Sequence, residues 1–144
     1  MYKYKYPHPA VTVDCIIFAR CEDDVKILLI ERKNAPDKGC WAFPGGFMEI
    51  DETAETAAIR ELKEETGLEV DNLKQVGAFS KIDRDPRERV ISIAYYTIIQ
   101  GTHHVKGNDD AARARWFSIR SLPPLAFDHK EIFDRAFDLA SADL

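Results

Sequence analysis

Short apolar blocks separated by polar turns run the length of the chain. Between residues 11 and 19 nearly every position is β-branched, aromatic or small and apolar, the pattern of a buried strand. The polar turn Arg20-Cys21-Glu22-Asp23-Asp24 separates it from a second strand over residues 25–31, and the two read as a hairpin with a long loop. Residues 33–40 have loop chemistry, and Trp41-Ala42-Phe43 is a short apolar piece before Pro44-Gly45-Gly46. Residues 53–66 are good helix formers (Ala54, Glu55, Ala57, Ala58, Glu61, Leu62, Lys63) and stop at Gly67, a preferred residue just past a helix end; Asp51 is a candidate cap near the start. Further strands are predicted over residues 73–80 and 90–99, the latter with Ile91, Ile93, Tyr95 and Thr97 alternating with Ser92, Ala94 and Tyr96. A polar loop over residues 101–112 leads to a last strand over 113–118 carrying Trp116 and Phe117. Pro123-Pro124 breaks the chain, and Asp128 opens a second helix, with Glu131 three residues on as in a capping box and Ile132, Phe133, Ala136, Phe137 and Ala140 as its apolar stripe. Strands on both sides of a central helix, plus a closing helix, predict an α/β fold with a mixed β-sheet between helical layers.

At 144 residues the chain is expected to form a single domain, 1–144. Its longest apolar runs, residues 15–19 and 27–30, fall far short of the roughly 18 residues of a membrane span. The basic N-terminus lacks the apolar stretch of a secretory signal. Three cysteines (Cys15, Cys21, Cys40) with no CxxC pair argue against a disulfide scaffold or zinc knuckle and fit a reducing cytoplasm. A net charge of −5 disfavours non-specific nucleic-acid binding. It leaves a nucleotide substrate open, because a bound cation reverses the local sign of an acidic cleft. Neither a nucleic acid nor a membrane is therefore expected as a partner.

The chemistry concentrates in the helix over residues 53–66. Glu61, Glu64 and Glu65, spaced i, i+3, i+4, fall within an arc of roughly 100° on one helix face. Carboxylates that close repel one another, and a divalent cation turns the repulsion into attraction. Hard oxygen donors of this kind favour Mg²⁺ or Mn²⁺ over zinc. A solvated polar face is the plainer explanation of an isolated Glu-x-x-Glu-Glu. Here the carboxylates follow a Gly-Gly pair whose backbone can approach a ligand closely, and the helix ends on a glycine.

The stretch from Gly46 to Leu68 resembles the Nudix box, Gly-x5-Glu-x7-Arg-Glu-U-x-Glu-Glu-x-Gly-U with U aliphatic, at every defined position. The resemblance implies a Nudix hydrolase: an α/β/α sandwich that cleaves a nucleoside diphosphate linked to another moiety. By the same resemblance the metal ligands fall on Glu61, Glu64 and Glu65, with the carbonyl of Gly45 adding a donor. Glu52 and Arg60 match the positions that brace the loop and orient the carboxylates, so Glu52, Arg60, Glu61 and Glu64 form the expected catalytic set. Gly46 and Gly67 are expected as turn requirements, with Gly46 beside the substrate, and Leu62 and Leu68 as core. In such a site metal ions neutralise the pyrophosphate and activate a water, and a carboxylate takes the proton. In the family the base is a box glutamate or an acidic residue of a later loop. Asp109 and Asp110 are the loop candidates here, and an ordinary turn is the other reading of that pair.

Substrate choice must be read outside the box. Residues 80–95 place Lys81, Arg84, Arg87 and Arg89 ahead of a strand, and Leu125-Ala126-Phe127-Asp128-His129 precedes the last helix. Both segments resemble the ADP-ribose pyrophosphatase group and the effector domains of regulators of NAD metabolism. Arg84, Arg87 and Arg89 are expected to clamp the far phosphate or terminal ribose; a solvated loop pairing its arginines with Asp83, Asp85 and Glu88 is the alternative. Trp41, Phe43, Phe79 and Tyr95 include candidate base stackers, although aromatics at strand positions are more often core, and His129 reads as structural. The expected reaction is Mg²⁺-dependent conversion of ADP-ribose to AMP and ribose 5-phosphate. The alternatives are a house-cleaning hydrolase of nucleoside triphosphates, oxidised or not, and a sensor that binds ADP-ribose without cleaving it. The intact box and the short stretch after Asp128, too short for an added DNA-binding domain, disfavour the sensor. Related ADP-ribose hydrolases are often dimers, so a homodimer is an open expectation.

Overall fold

The computed structural model describes residues 1–105 and 113–144. The elements follow in the order β1 (Ala10–Arg20), β2 (Val25–Glu31), β3 (Trp41–Ala42), β4 (Gly45–Phe47), α1 (Ala54–Thr66), β5 (Lys74–Phe79), β6 (Val90–Gln100), β7 (Ala114–Ser118) and α2 (His129–Ala140), closed by a 3₁₀ turn over Ser141–Asp143. One seven-stranded sheet runs β3-β2-β1-β6-β5, with β4 also paired to β1 and β7 to β2. β1 and β6 are parallel from Ala10↔Val90 to Arg20↔Gln100, and the other pairings are antiparallel, so the sheet is mixed. Among the described residues no helix is long and apolar enough to cross a membrane.

β1 is buried on both faces, and the two-residue period of a strand divides its side chains between two cores. Val13, Cys15 and Ile17 pack with Leu28 against Ala57, Ala58 and Leu62 of α1. Ile16 and Phe18 pack with Ile27 and Leu29 against Ile132, Phe133 and Ala136 of α2. The small residues Ala57 and Ala58 let α1 lie close on the sheet, where the Cys15 thiol donates to the Ala58 carbonyl at 3.2 Å. The α/β/α layering read from the sequence is what forms.

The caps differ from the sequence reading. Thr53, not Asp51, caps α1, its hydroxyl accepting the Thr56 N–H at 3.1 Å. Gly67 closes the helix in the left-handed region at φ 77°, as expected. Asp128 stands at the start of α2 but makes no side-chain cap, because its carboxylate is taken by Arg84. The Gly45-Gly46 pair is not a turn: both residues lie in strand β4.

Candidate active site

β1, β4 and α1 meet at the floor of a cleft. A side chain at Gly45 has no room, since a Cβ there would sit 2.0 Å from the Val13 carbonyl oxygen. At Gly46 it would sit 2.6 Å from the Glu61 carboxyl carbon. Close approach, and not an unusual backbone angle, therefore requires these two glycines. The approach brings Glu65 to the backbone, where its Oε1 accepts the Gly45 N–H at 2.8 Å.

Arg60 organises the carboxylates. Its Nε and Nη2 donate to the two oxygens of Glu52 at 3.0 and 2.5 Å, a bidentate pair. Its Nη1 donates to Glu61 at 3.0 Å and Glu64 at 3.2 Å, and its Nη2 also reaches the Phe47 carbonyl at 3.3 Å. Glu52 in turn accepts the Glu49 N–H at 2.9 Å, closing the loop that leads into α1. These contacts hold the Glu52 carboxyl below its usual range and raise the Arg60 guanidinium further above its own.

The other carboxylates are held the opposite way. Burial pushes Glu65 up to about 8, with Glu61, Asp14 and Glu64 adding repulsion and the Gly45 N–H opposing it. Burial also raises Glu61, against the pull of Arg60. Two carboxyls that resist ionisation on one helix face are poorly compensated by the protein itself. Glu64 is more exposed, at 55% for its side chain, and leans on Arg60. Among the described residues no three acidic, His or Cys side chains already converge into a metal cage. The donor set nonetheless fits a hard divalent cation: oxygen ligands only, two of them half-buried without a full counter-charge, beside a strand pressed against them.

The cleft rises from this floor, with about 650 Å³ of empty space once its open mouth is included. Its inner wall carries Asp14, which accepts a short hydrogen bond from Ser92 Oγ, and His129, whose Nε2 lies 3.6 Å from Asp14 Oδ1. Nδ1 of His129 accepts the Phe43 N–H at 3.1 Å, so the neutral ring carries its proton on Nε2, and burial lowers its tendency to charge. Phe43 stacks on this imidazole at 5.3 Å between centroids. A parallel bridge between Trp41 and Leu125, with Trp41 N–H to Pro124 and Ala126 N–H to Trp41, fastens this segment to the sheet.

The arginines of the loop over residues 80–89 separate. Arg84 lines the cleft but is spent on Asp128, Nε and Nη2 donating at 2.9 and 2.7 Å with both side chains buried. Arg87 also lines it, paired with Asp85 at 2.8 and 3.1 Å yet 46% exposed. Arg89 is not part of the cleft lining and donates to the Lys81 carbonyl at 3.3 Å. Of the candidate stackers, Trp41, Phe79 and Tyr95 are buried in the cores, and Phe43 alone of the four lines the cleft. Asp109 and Asp110 lie outside the described residues. Sequence reasoning missed Asp14, Arg32 and Phe127. The first two sit within or at the end of apolar strand patterns, and only the anomaly of a charge in a buried strand signalled Asp14.

The NUDIX domain family model matches residues 8–136, nearly the whole chain and all of the floor and walls just described. The chain belongs to the Nudix family. As a Nudix protein it is 53% identical over 131 residues to the ADP-ribose pyrophosphatase of Methanocaldococcus jannaschii, covering 90% of this chain and 75% of that protein. It is 34% identical to the ADPR responsive transcriptional repressor NtrR of Acinetobacter baylyi, covering 94% of this chain but only 56% of the repressor. Among solved structures, the NUDIX domain of Shewanella oneidensis NrtR complexed with ADP ribose superposes with a TM-score of 0.87 at 26% identity, covering 95% of this chain and 92% of that one. The Nudix assignment accounts for the mixed sheet, the two helical layers and the placement of the carboxylate helix at the cleft floor.

Proposed function

We propose that this Nudix chain hydrolyses the pyrophosphate bond of ADP-ribose, giving AMP and ribose 5-phosphate, with Mg²⁺ or Mn²⁺ bound at α1. The observation that carries the chemistry is the helix face of Glu61, Glu64 and Glu65, with Glu61 and Glu65 packed against β4 and Glu65 lining the open cleft. The choice of ADP-ribose is supported by the 53% identity to a protein named for that activity.

Glu61, Glu65, Glu64 and the Gly45 carbonyl would hold the metal. When bound, the metal neutralises pyrophosphate charge and lowers the pKa of a coordinated water. Arg60 holds Glu61 and Glu64 together on α1, and Glu52 fixes Arg60. A box glutamate is the candidate to accept the proton of the attacking water; Glu64, the most exposed of the three, has the required access to solvent. Asp109 and Asp110 remain candidates for the same role. Arg87 and Gly46 border the space for the phosphates and distal ribose.

Chromatography of the products from ADP-ribose and Mg²⁺ tests this reading: AMP and ribose 5-phosphate are expected, and Glu64→Gln or Glu65→Gln should lower turnover by about two orders of magnitude or more. Full turnover in both variants at saturating Mg²⁺ overturns the metal assignment. A sensor role has one observation in its favour, the similarity to the repressor from Acinetobacter baylyi. Tight ADP-ribose binding without any product would select it.

A further inference from the structure

Phe127 sits in a conformation that a phenylalanine rarely adopts, with φ at 51° in the left-handed region. The turn is pinned from outside: its N–H donates to Asp37 Oδ2 at 2.8 Å, across 90 residues of sequence. Such a cost is retained when the side chain it aims is used. The ring lines the cleft and lies under two guanidiniums, Arg32 at 4.9 Å and Arg87 at 5.8 Å from its centroid. Arg32 is steered there by its Nε bond to the Pro36 carbonyl at 2.8 Å. Among the described residues neither Nη of Arg32 has a hydrogen-bond partner, whereas Arg87 is matched by Asp85. Burial, and after it the like charge of Arg87, lowers the hold of Arg32 on its proton against the pull of Asp37 and Asp85. Asp37 and Asp85 offset part of this charge, and the Nη groups of Arg32 have no acceptor among the described residues.

We propose that Phe127 is a positioning residue, its ring holding Arg32 and Arg87 side by side as a receptor for the substrate phosphate that the carboxylate helix does not engage. This rests on the pyrophosphate reading of the site. It adds that affinity for the diphosphate depends on a ring that touches no reacting atom. The planar guanidinium stacks on the ring through its face and presents its edge to phosphate oxygens, which an ammonium cannot do.

Calorimetric titration with inorganic pyrophosphate in metal-free buffer isolates this receptor from the metal and from the identity of the sugar. Phe127→Leu keeps an apolar side chain and removes the π face; it should weaken pyrophosphate binding about fivefold or more, and Phe127→Tyr should restore it to within about twofold of wild type. Arg32→Lys keeps the charge and should weaken binding comparably, which guards against a Phe127 variant that fails to fold. With ADP-ribose and Mg²⁺, the same leucine variant should raise KM about fivefold or more while kcat changes by less than about twofold. Wild-type pyrophosphate affinity in both Phe127→Leu and Arg32→Lys, or no measurable pyrophosphate binding by the wild type, overturns the proposal. Failure of the wild type to cleave ADP-ribose overturns the substrate assignment instead, and the pyrophosphate titration still decides the receptor.

Discussion

Glu65 shows how one side chain carries the logic of the site. It is half-buried, its carboxyl is raised to about 8, and among the described residues a backbone N–H, that of Gly45, donates to it. In the unfolded chain the same group ionises near its ordinary value of 4.5. As pH rises between those values the unfolded chain releases this proton while the fold retains it, so Glu65 contributes a loss of stability across that window. Glu65→Gln removes the titration and keeps the shape. In EDTA the variant should therefore gain thermal stability relative to wild type as pH rises from about 5 to about 8.5, by several degrees of Tm. A gap that stays constant with pH contradicts the burial of this carboxyl. Saturating Mg²⁺ should reverse the ordering at the upper pH, because the ion binds the ionised cluster of the folded wild type and not the unfolded chain. The two glycines part company in the same test. Gly45→Ala drives a Cβ into backbone and should unfold or strongly destabilise the chain, whereas Gly46→Ala meets a movable carboxylate and should keep the fold while displacing Glu61. Turnover of Gly46→Ala within about twofold of wild type would contradict that contact.

At the scale of elements, the buried Arg84–Asp128 pair ties the loop over residues 80–89 to the start of α2. Removing one partner leaves the other charge buried, so Arg84→Ala should cost about 3–5 kcal/mol in a denaturant titration. A loss below about 1 kcal/mol would place this pair among the weak surface bridges instead. The same pair marks where the sequence stops being legible. The strands, both helices and the closing Gly67 follow from local periodicity and propensity, and the carboxylate face follows from helical spacing. Asp128 has the local signature of a cap, and nothing nearby in sequence reveals a guanidinium 44 positions earlier that claims it. Asp51 and Thr53 are both competent caps, and backbone geometry two residues apart decides between them. The positive backbone angle that aims Phe127 depends on Asp37, another partner distant in sequence.

Across the whole molecule the cleft is bipolar, lined by Glu65 of the carboxylate helix and by Arg32 and Arg87 over Phe127. General attraction to phosphate cannot favour ADP-ribose over a nucleoside triphosphate, since both carry phosphates. A preference needs a contact that only the diphosphate-ribose substrate can use, and a bidentate arginine contact is worth on the order of 1.5–3 kcal/mol. The most direct measurement is kcat/KM for ADP-ribose and for 8-oxo-dGTP on the same preparation at saturating Mg²⁺. ADP-ribose should be favoured by about tenfold or more, with Arg87→Ala narrowing the gap. A preference for the triphosphate would contradict the assignment of ADP-ribose and leave only the Nudix chemistry standing.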